Sequence, residues 1–230
     1  VQDKLAKLIS DVNKKTVAVL FNGRPLVLTE LSKTVPAILE MWFPGTEGGN
    51  AVANLIFGNV NPSGKITMSF PMSTGQCPIH YTRTNTGRPQ PQPETVRKEY
   101  HSNYLDCSVL PLYSFGHGLS YSNFVYESLE LDNDKLTVDG EIKVKVTVKN
   151  DSNVAGKEVV QLYMHDLFAS TVRPVQKLIA YEKIALAAGE TKTVTFTVNE
   201  PMLRFYNASC EFVSEPGKFE LSTGHADKLI

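Results

Sequence analysis

Glu141-Ile142-Lys143-Val144-Lys145-Val146-Thr147-Val148-Lys149 alternates polar and β-branched apolar residues without a break. A period of two places Ile142, Val144, Val146 and Val148 on one face of a strand and the lysines on the other. Such a strand has one face in a core and one in water. Thr191-Lys192-Thr193-Val194-Thr195-Phe196-Thr197-Val198 repeats the pattern, with Val194, Phe196 and Val198 facing inward. Working outward from these two, further strands are expected at 124–131, 158–164, 177–186, 203–206 and 218–223. Turn signals separate them at Val138-Asp139-Gly140, Val154-Ala155-Gly156, Ala188-Gly189-Glu190 and Glu215-Pro216-Gly217. Short strands at this spacing predict an immunoglobulin-like or fibronectin type III-like β-sandwich over residues 121–230.

Upstream the period changes. Thr16-Val17-Ala18-Val19-Leu20-Phe21 is a nearly continuous apolar run. It suits a strand covered on both faces, as in parallel sheets. Pro36 to Trp42 is a second strand candidate, and Lys65 to Phe70 a third. Leu5, Leu8, Ile9 and Val12 recur at helical spacing, so a helix is expected over 1–13, and Ala51 to Phe57 reads as another, stopped by Gly58. The fold class expected is therefore α/β plus all-β, with an α/β layer over 1–75 preceding the sandwich. Because a parallel sheet needs both faces covered, 1–75 reads as the second half of an α/β domain. Residues 76–120 form a long connecting segment. Pro89, Pro91 and Pro93 favour an extended backbone there. Tyr100, Tyr104, Tyr113, Phe115 and Tyr121 favour packing over disorder.

The 230 residues carry a net charge of −1 and are 42% hydrophobic, which suits ordinary packed cores. No basic excess points to nucleic acid or to an anionic membrane surface. No apolar run reaches the ~20 residues needed to span a bilayer. Val1 to Asn13 lacks the charged end and apolar segment of a secretion signal. The chain begins without Met, and a fragment or processed piece is expected. Cys77, Cys107 and Cys210 are odd in number and form no CxxC pair, which argues against a zinc site or a disulfide framework. Buried free thiols are expected, with one bonded pair as the alternative.

Several long motifs resemble one family, in order and spacing. They are Val19-Leu20-Phe21-Asn22-Gly23-Arg24-Pro25-Leu26, Ala37 to Ala51 (AILEMWFPGTEGGNA), Phe57 to Lys65 (FGNVNPSGK), Asn85-Thr86-Gly87-Arg88-Pro89, Pro111 to Tyr121 (PLYSFGHGLSY), Arg173 to Leu178 (RPVQKL), Tyr181-Glu182-Lys183 and Ala188-Gly189-Glu190-Thr191. Nearly the whole chain is similar to the C-terminal part of glycoside hydrolase family 3 β-glucosidases of the periplasmic or secreted type. That resemblance implies a TIM-like barrel, an α/β sandwich domain and a fibronectin III-like domain in the complete enzyme. It also implies a nucleophilic barrel aspartate and a general acid/base glutamate in the first half of the α/β domain, both expected upstream of Val1. No catalytic residue, metal ligand or cofactor is then expected in this chain. The implied partners are a carbohydrate substrate, met through the complete enzyme, and the N-terminal barrel domain, with no nucleic acid and no membrane. The alternative is a stand-alone carbohydrate-binding or adhesion module built on the sandwich.

Retaining hydrolysis needs two carboxyl groups about 5–5.5 Å apart. Glu47, in a Gly-rich loop before a helix, is the strongest lone candidate. Its plainer reading is a carboxylate held by the helix dipole and N-terminal amides. Glu40 is expected on a strand as a structural partner for Arg24 or Lys65. Gly45, Gly48 and Gly49 lack the rest of a phosphate-binding motif and read as a tight turn. His80, His101, His117, His165 and His225 show no metal spacing. In the connecting segment Asn85, Arg88 and Tyr100 are the candidate sugar contacts, with Arg97 and Tyr104 beside them, and the plainer, preferred reading of all five is packing against the barrel domain. Arg173 and Tyr181 are expected to fix the sandwich against its neighbour.

Overall fold

The computed structural model describes residues 1–90, 100–225 and 228–229. The N-terminal layer runs α1 (Gln2–Val12), β1 (Val17–Leu20), α2 (Thr29–Thr34), β2 (Ala37–Glu40) and α3 (Gly48–Ile56). β1 and β2 pair in parallel, Val17 opposite Ala37 and Leu20 opposite Glu40. A parallel pair needs a crossover, and the segment containing α2 supplies it. Two strands and three helices are described here, against an expected three and two. The sequence reading missed α2 because six residues with only Leu31 buried carry little periodicity. The expected strand at 65–70 is not a regular strand. Its backbone pairs with that of 112–117 at its ends, where Ile66 N–H donates to His117 O (2.8 Å) and Phe70 N–H to Tyr113 O (2.8 Å).

The layer's core is small. Leu28, Leu31, Val35 and Phe70 are buried, and the Trp42 ring lies 5.7 Å from that of Phe70. α1 turns its small residues inward: Ala6 packs on this core, and Ser10 Oγ donates to Thr34 O at 2.6 Å. Its apolar residues at helical spacing point the other way, with Leu8 66% and Val12 90% exposed.

The sandwich is built from β3 (Phe124–Leu131), β4 (Glu141–Asn150), β5 (Gly156–Asp166), β6 (Lys177–Leu186), β7 (Thr191–Asn199), β8 (Phe205–Tyr206), β9 (Phe212–Val213), β10 (Phe219–His225) and β11 (Lys228–Leu229). One antiparallel sheet has the order β3-β4-β7, the other β11-β10-β5-β6. All seven residues expected to face inward on β4 and β7 are buried, and Val160, Leu162, Met164, Ile184 and Leu186 meet them from the second sheet. Residues 203–206 depart from expectation. Glu200–Leu203 is a 3-10 turn, with Pro201 unable to donate to a ladder. Only Phe205–Tyr206 is extended, and it pairs with β9 in a hairpin outside both sheets.

The connecting segment is packed onto β5. Tyr81 stacks on Phe115 at 4.1 Å, and Gln161 Nε2 donates to Gly116 O. Gly116 has φ +82°, and a Cβ there would lie 2.3 Å from Gln161 Oε1, so no side chain fits. The cysteines correct the expectation of buried thiols. Cys77 and Cys210 are exposed free thiols, and Cys107 is half-buried.

Candidate functional site

The sugar-contact candidates lie on an arm whose backbone is held from both sides. On one side Thr84 bridges Pro174, and Val175 N–H donates to Arg83 O at 2.9 Å. On the other, Pro89 bridges Ser102, whose N–H donates to Arg88 O at 2.8 Å. This second contact brings Arg88 and Tyr100 into one short stretch of surface. Asn85, Arg88 and Tyr100 are all exposed, and Tyr100 has φ +63°. Left-handed backbone at a non-glycine residue is costly and concentrates at functional positions. Tyr104 is 40% exposed, and Arg97 lies outside the described residues.

A second concave feature opens beside the parallel strands. It is a cleft of about 820 Å³ whose wall includes Ile38, Trp42, Phe70, Ile66 and Tyr113. Glu40 is part of its lining. Its Oε1 accepts from Trp42 N–H at 2.8 Å, while Oε2 is buried without a hydrogen-bond partner among the described residues. The expected pairing of Glu40 with Lys65 is not formed, because Lys65 is taken elsewhere, and no ion pair to Arg24 is described. Glu47 stands at the start of α3, exposed. It makes no side-chain cap and accepts instead from Asn50 Nδ2 at 2.6 Å, so a neighbouring amide side chain, not the helix backbone, holds it. The turn reading of the glycines fits: Gly45 has φ +73°, and a Cβ on Gly48 would lie 2.5 Å from Pro44 Cγ.

Three carboxylates are buried among the described residues, and each faces a cation. Glu158 Oε2 is 3.0 Å from Lys65 Nζ, both side chains being nearly inaccessible. Asp166 Oδ2 is 3.5 Å from Arg173 Nε. Glu200 accepts from Arg204 Nε at 3.0 Å and from the Ser214 hydroxyl. Lys65 Nζ also donates to Gly118 O at 2.8 Å, and Tyr126 OH donates to Glu158 Oε1 at 3.0 Å. Burial first, and then the Glu158 charge, hold the Tyr126 phenol well above the ordinary tyrosine range. Burial pushes the Asp166 carboxyl up, opposed by Arg173, whereas the Arg204 hydrogen bond, then that of Ser214, holds Glu200 down. A carboxylate neutralised by a fixed cation is poorly placed to deliver a proton to a leaving group.

The sequence reading missed the Lys65–Glu158 pair, although a signal was available. Glu158 and Asp166 share the period-two face of Val160, Leu162 and Met164 on β5, and a charge on an inward face must find a partner. Asn61 was missed as well. Its amide is fully used: Nδ2 donates to Ser122 Oγ (2.8 Å) and Ala155 O (3.0 Å), and Oδ1 accepts from Ser120 Oγ (2.8 Å) and Tyr121 N–H (2.9 Å). Among the histidines, His117 stacks on Tyr113, His165 lies 3.8 Å from Glu220, and no metal-holding cluster occurs among the described residues. No helix there is long and apolar enough to cross a membrane.

Residues 1–121 match the glycosyl hydrolase family 3 C-terminal domain. The chain belongs to that family. Residues 158–226 match a fibronectin type III-like domain, in agreement with the two sheets described above. The periplasmic beta-glucosidase of Salmonella typhimurium is 44% identical over 223 residues, covering 97% of this chain and 29% of that protein. A beta-xylosidase of Formosa agariphila is 40% identical over 228 residues, 99% of this chain and 30% of its own length. The crystal structure of a beta-glucosidase from Listeria innocua in complex with isofagomine superposes with a TM-score of 0.94 at 46% identity. It covers all of this chain and 32% of that one. This family 3 chain therefore spans about a third of the length of the relatives it matches.

Proposed function

We propose that this chain is the C-terminal structural portion of a β-glucosidase-like enzyme that hydrolyses terminal β-linked sugars. The observation that carries the reading is a fold match over the entire chain to a beta-glucosidase three times its length. The bare apolar face of α1 and the two-stranded parallel sheet support it, since both need covering. The same features speak against a stand-alone carbohydrate-binding or adhesion module. In this reading, residues 1–75 complete an α/β domain, 76–120 form the arm and its anchor, and 121–230 form the sandwich. The arm presents Asn85, Arg88 and Tyr100 toward sugar, supplying amide and guanidinium hydrogen bonds and a ring face. The nucleophile and the acid/base come from the remainder of the enzyme, whose barrel domain is the principal partner. A periplasmic or secreted location accords with the Salmonella relative.

Assaying the purified chain with an aryl β-glucoside, beside the same chain joined behind the N-terminal portion of the Salmonella relative, tests this. The fusion is expected to turn over, and the chain alone is expected to lack the ~10⁶-fold or greater acceleration of an enzyme. Steady turnover by the chain alone, abolished by Glu47→Gln, would place the chemistry in this chain and overturn the reading.

A further inference from the structure

The inward face of β5 ends in two carboxylates. Glu158 holds the 61–65 turn of the α/β layer through Lys65, and Asp166 holds Arg173. Arg173 is 15% exposed in its side chain, and its guanidinium carbon lies 4.1 Å from the centre of the buried Phe205 ring. It is therefore seated between a carboxylate and an aromatic face, two partners that suit a planar cation better than a lysine ammonium. The next two residues, Pro174 and Val175, are those that pair with Thr84 and Arg83. Pro174 restricts the backbone between the seat and the pairing, so a fixed Arg173 fixes the edge against which the arm lies. Ser170 adds a second tether to the same loop, its N–H donating to Glu215 Oε2 at 2.8 Å.

We propose that Arg173 is a positioning residue for the sugar-facing arm. Held by Asp166 and Phe205, it sets the 174–175 edge, that edge sets residues 83–84, and the arm carries Asn85 and Arg88 to their places. The sandwich thus tunes substrate binding without touching substrate. This rests on the reading of the arm as sugar-facing, and two separate measurements keep the two claims apart.

Arg173→Lys retains the charge opposite Asp166 and removes the planar contact with Phe205, whereas Arg173→Ala would leave the buried Asp166 without its cation. Hydrogen exchange of the chain is expected to quicken about tenfold at the Val175 amide, whose N–H donates to Arg83 O of the arm, with peptides of β4 and β7 unchanged. In the fusion enzyme, KM for an aryl β-glucoside is expected to rise about threefold or more with kcat little changed. Unchanged exchange at Val175 overturns the anchoring, whatever KM does. Exchange that quickens equally in β4 and β7 shows a general loss of stability and overturns it also. Quickened exchange confined to Val175 and its neighbours, with KM unchanged, leaves the anchoring intact and overturns both the sugar-facing reading and the positioning role.

Discussion

The β-sandwich closes on itself and the α/β layer does not. In the sandwich, two sheets bring twelve buried apolar residues face to face, joined by Leu203 of the 3-10 turn, and the lysines of β4 stay outside that core. In the layer only four such residues are buried, one cleft stands open beside the strands, and α1 shows its apolar side to solvent. The difference teaches that a local pattern states which residues want burial, while closure depends on whether the partner surface is present. The sandwich carries both of its layers within about a hundred residues, a common domain size. The layer leaves the apolar face of α1 uncovered. The junction between them is polar and dense, with Lys65–Glu158 and the saturated amide of Asn61 at its centre.

That contrast can be broken first in the sandwich. Phe196→Ala should cost about 3–5 kcal/mol in a denaturant unfolding experiment, because the ring is almost fully buried against a core that cannot collapse to fill the space. A cost under about 1 kcal/mol would show the sandwich core to be as loose as the layer's.

The junction comes next. Lys65→Met leaves Glu158 buried without its cation and should cost about 3 kcal/mol. Adding Glu158→Gln should recover part of that loss, since the charge that lacked a partner is gone. Two unfolding transitions in the single variant, replacing one in the parent, would show that this pair is what joins the two regions. A double variant no more stable than the single would assign the loss to packing of the lysine stem instead.

A smaller effect is expected from pH. The folded state holds the Glu200 carboxyl below its ordinary value of 4.5, chiefly through Arg204 and then Ser214. The folded chain therefore takes up that proton less readily than the unfolded one. The resulting stabilisation is present above 4.5 and is lost as pH falls below it. Unfolding midpoints measured at about pH 6 and about pH 3.5 should differ less in Glu200→Gln than in the parent. Equal differences would remove Glu200 from the acid response of the sandwich.

The smallest effect belongs to α1. Leu8→Glu should change the stability of the isolated chain by about 0.5 kcal/mol or less, since Leu8 is already in water. In the fusion enzyme the same substitution should be plainly destabilising. Equal, small effects in both would show that nothing covers this face.

The sandwich strands were legible because β-branched residues at a period of two mark both the element and its buried face, and, 203–206 apart, the six expected spans match to within two residues at each end. The arm's candidates were legible only as residue types. That the backbone at Arg88 lies beside the stretch following Tyr100 comes from the pairing of Pro89 with Ser102, which no periodicity announces. Glu40 shows the opposite failure: a plausible partner was named, but Lys65 reaches a carboxylate 93 positions further along the chain than itself.

By itself the sequence determined the sandwich, its register and its inward residues, because side-chain alternation and backbone pairing obey the same period. It also determined membership of the family, through long motifs in fixed order. Only the tertiary structure decided which charges meet, which face of α1 stays bare and how the arm is held. Those outcomes depend on contacts between residues far apart in the chain, where loop closure and desolvation, not local propensity, select the partner.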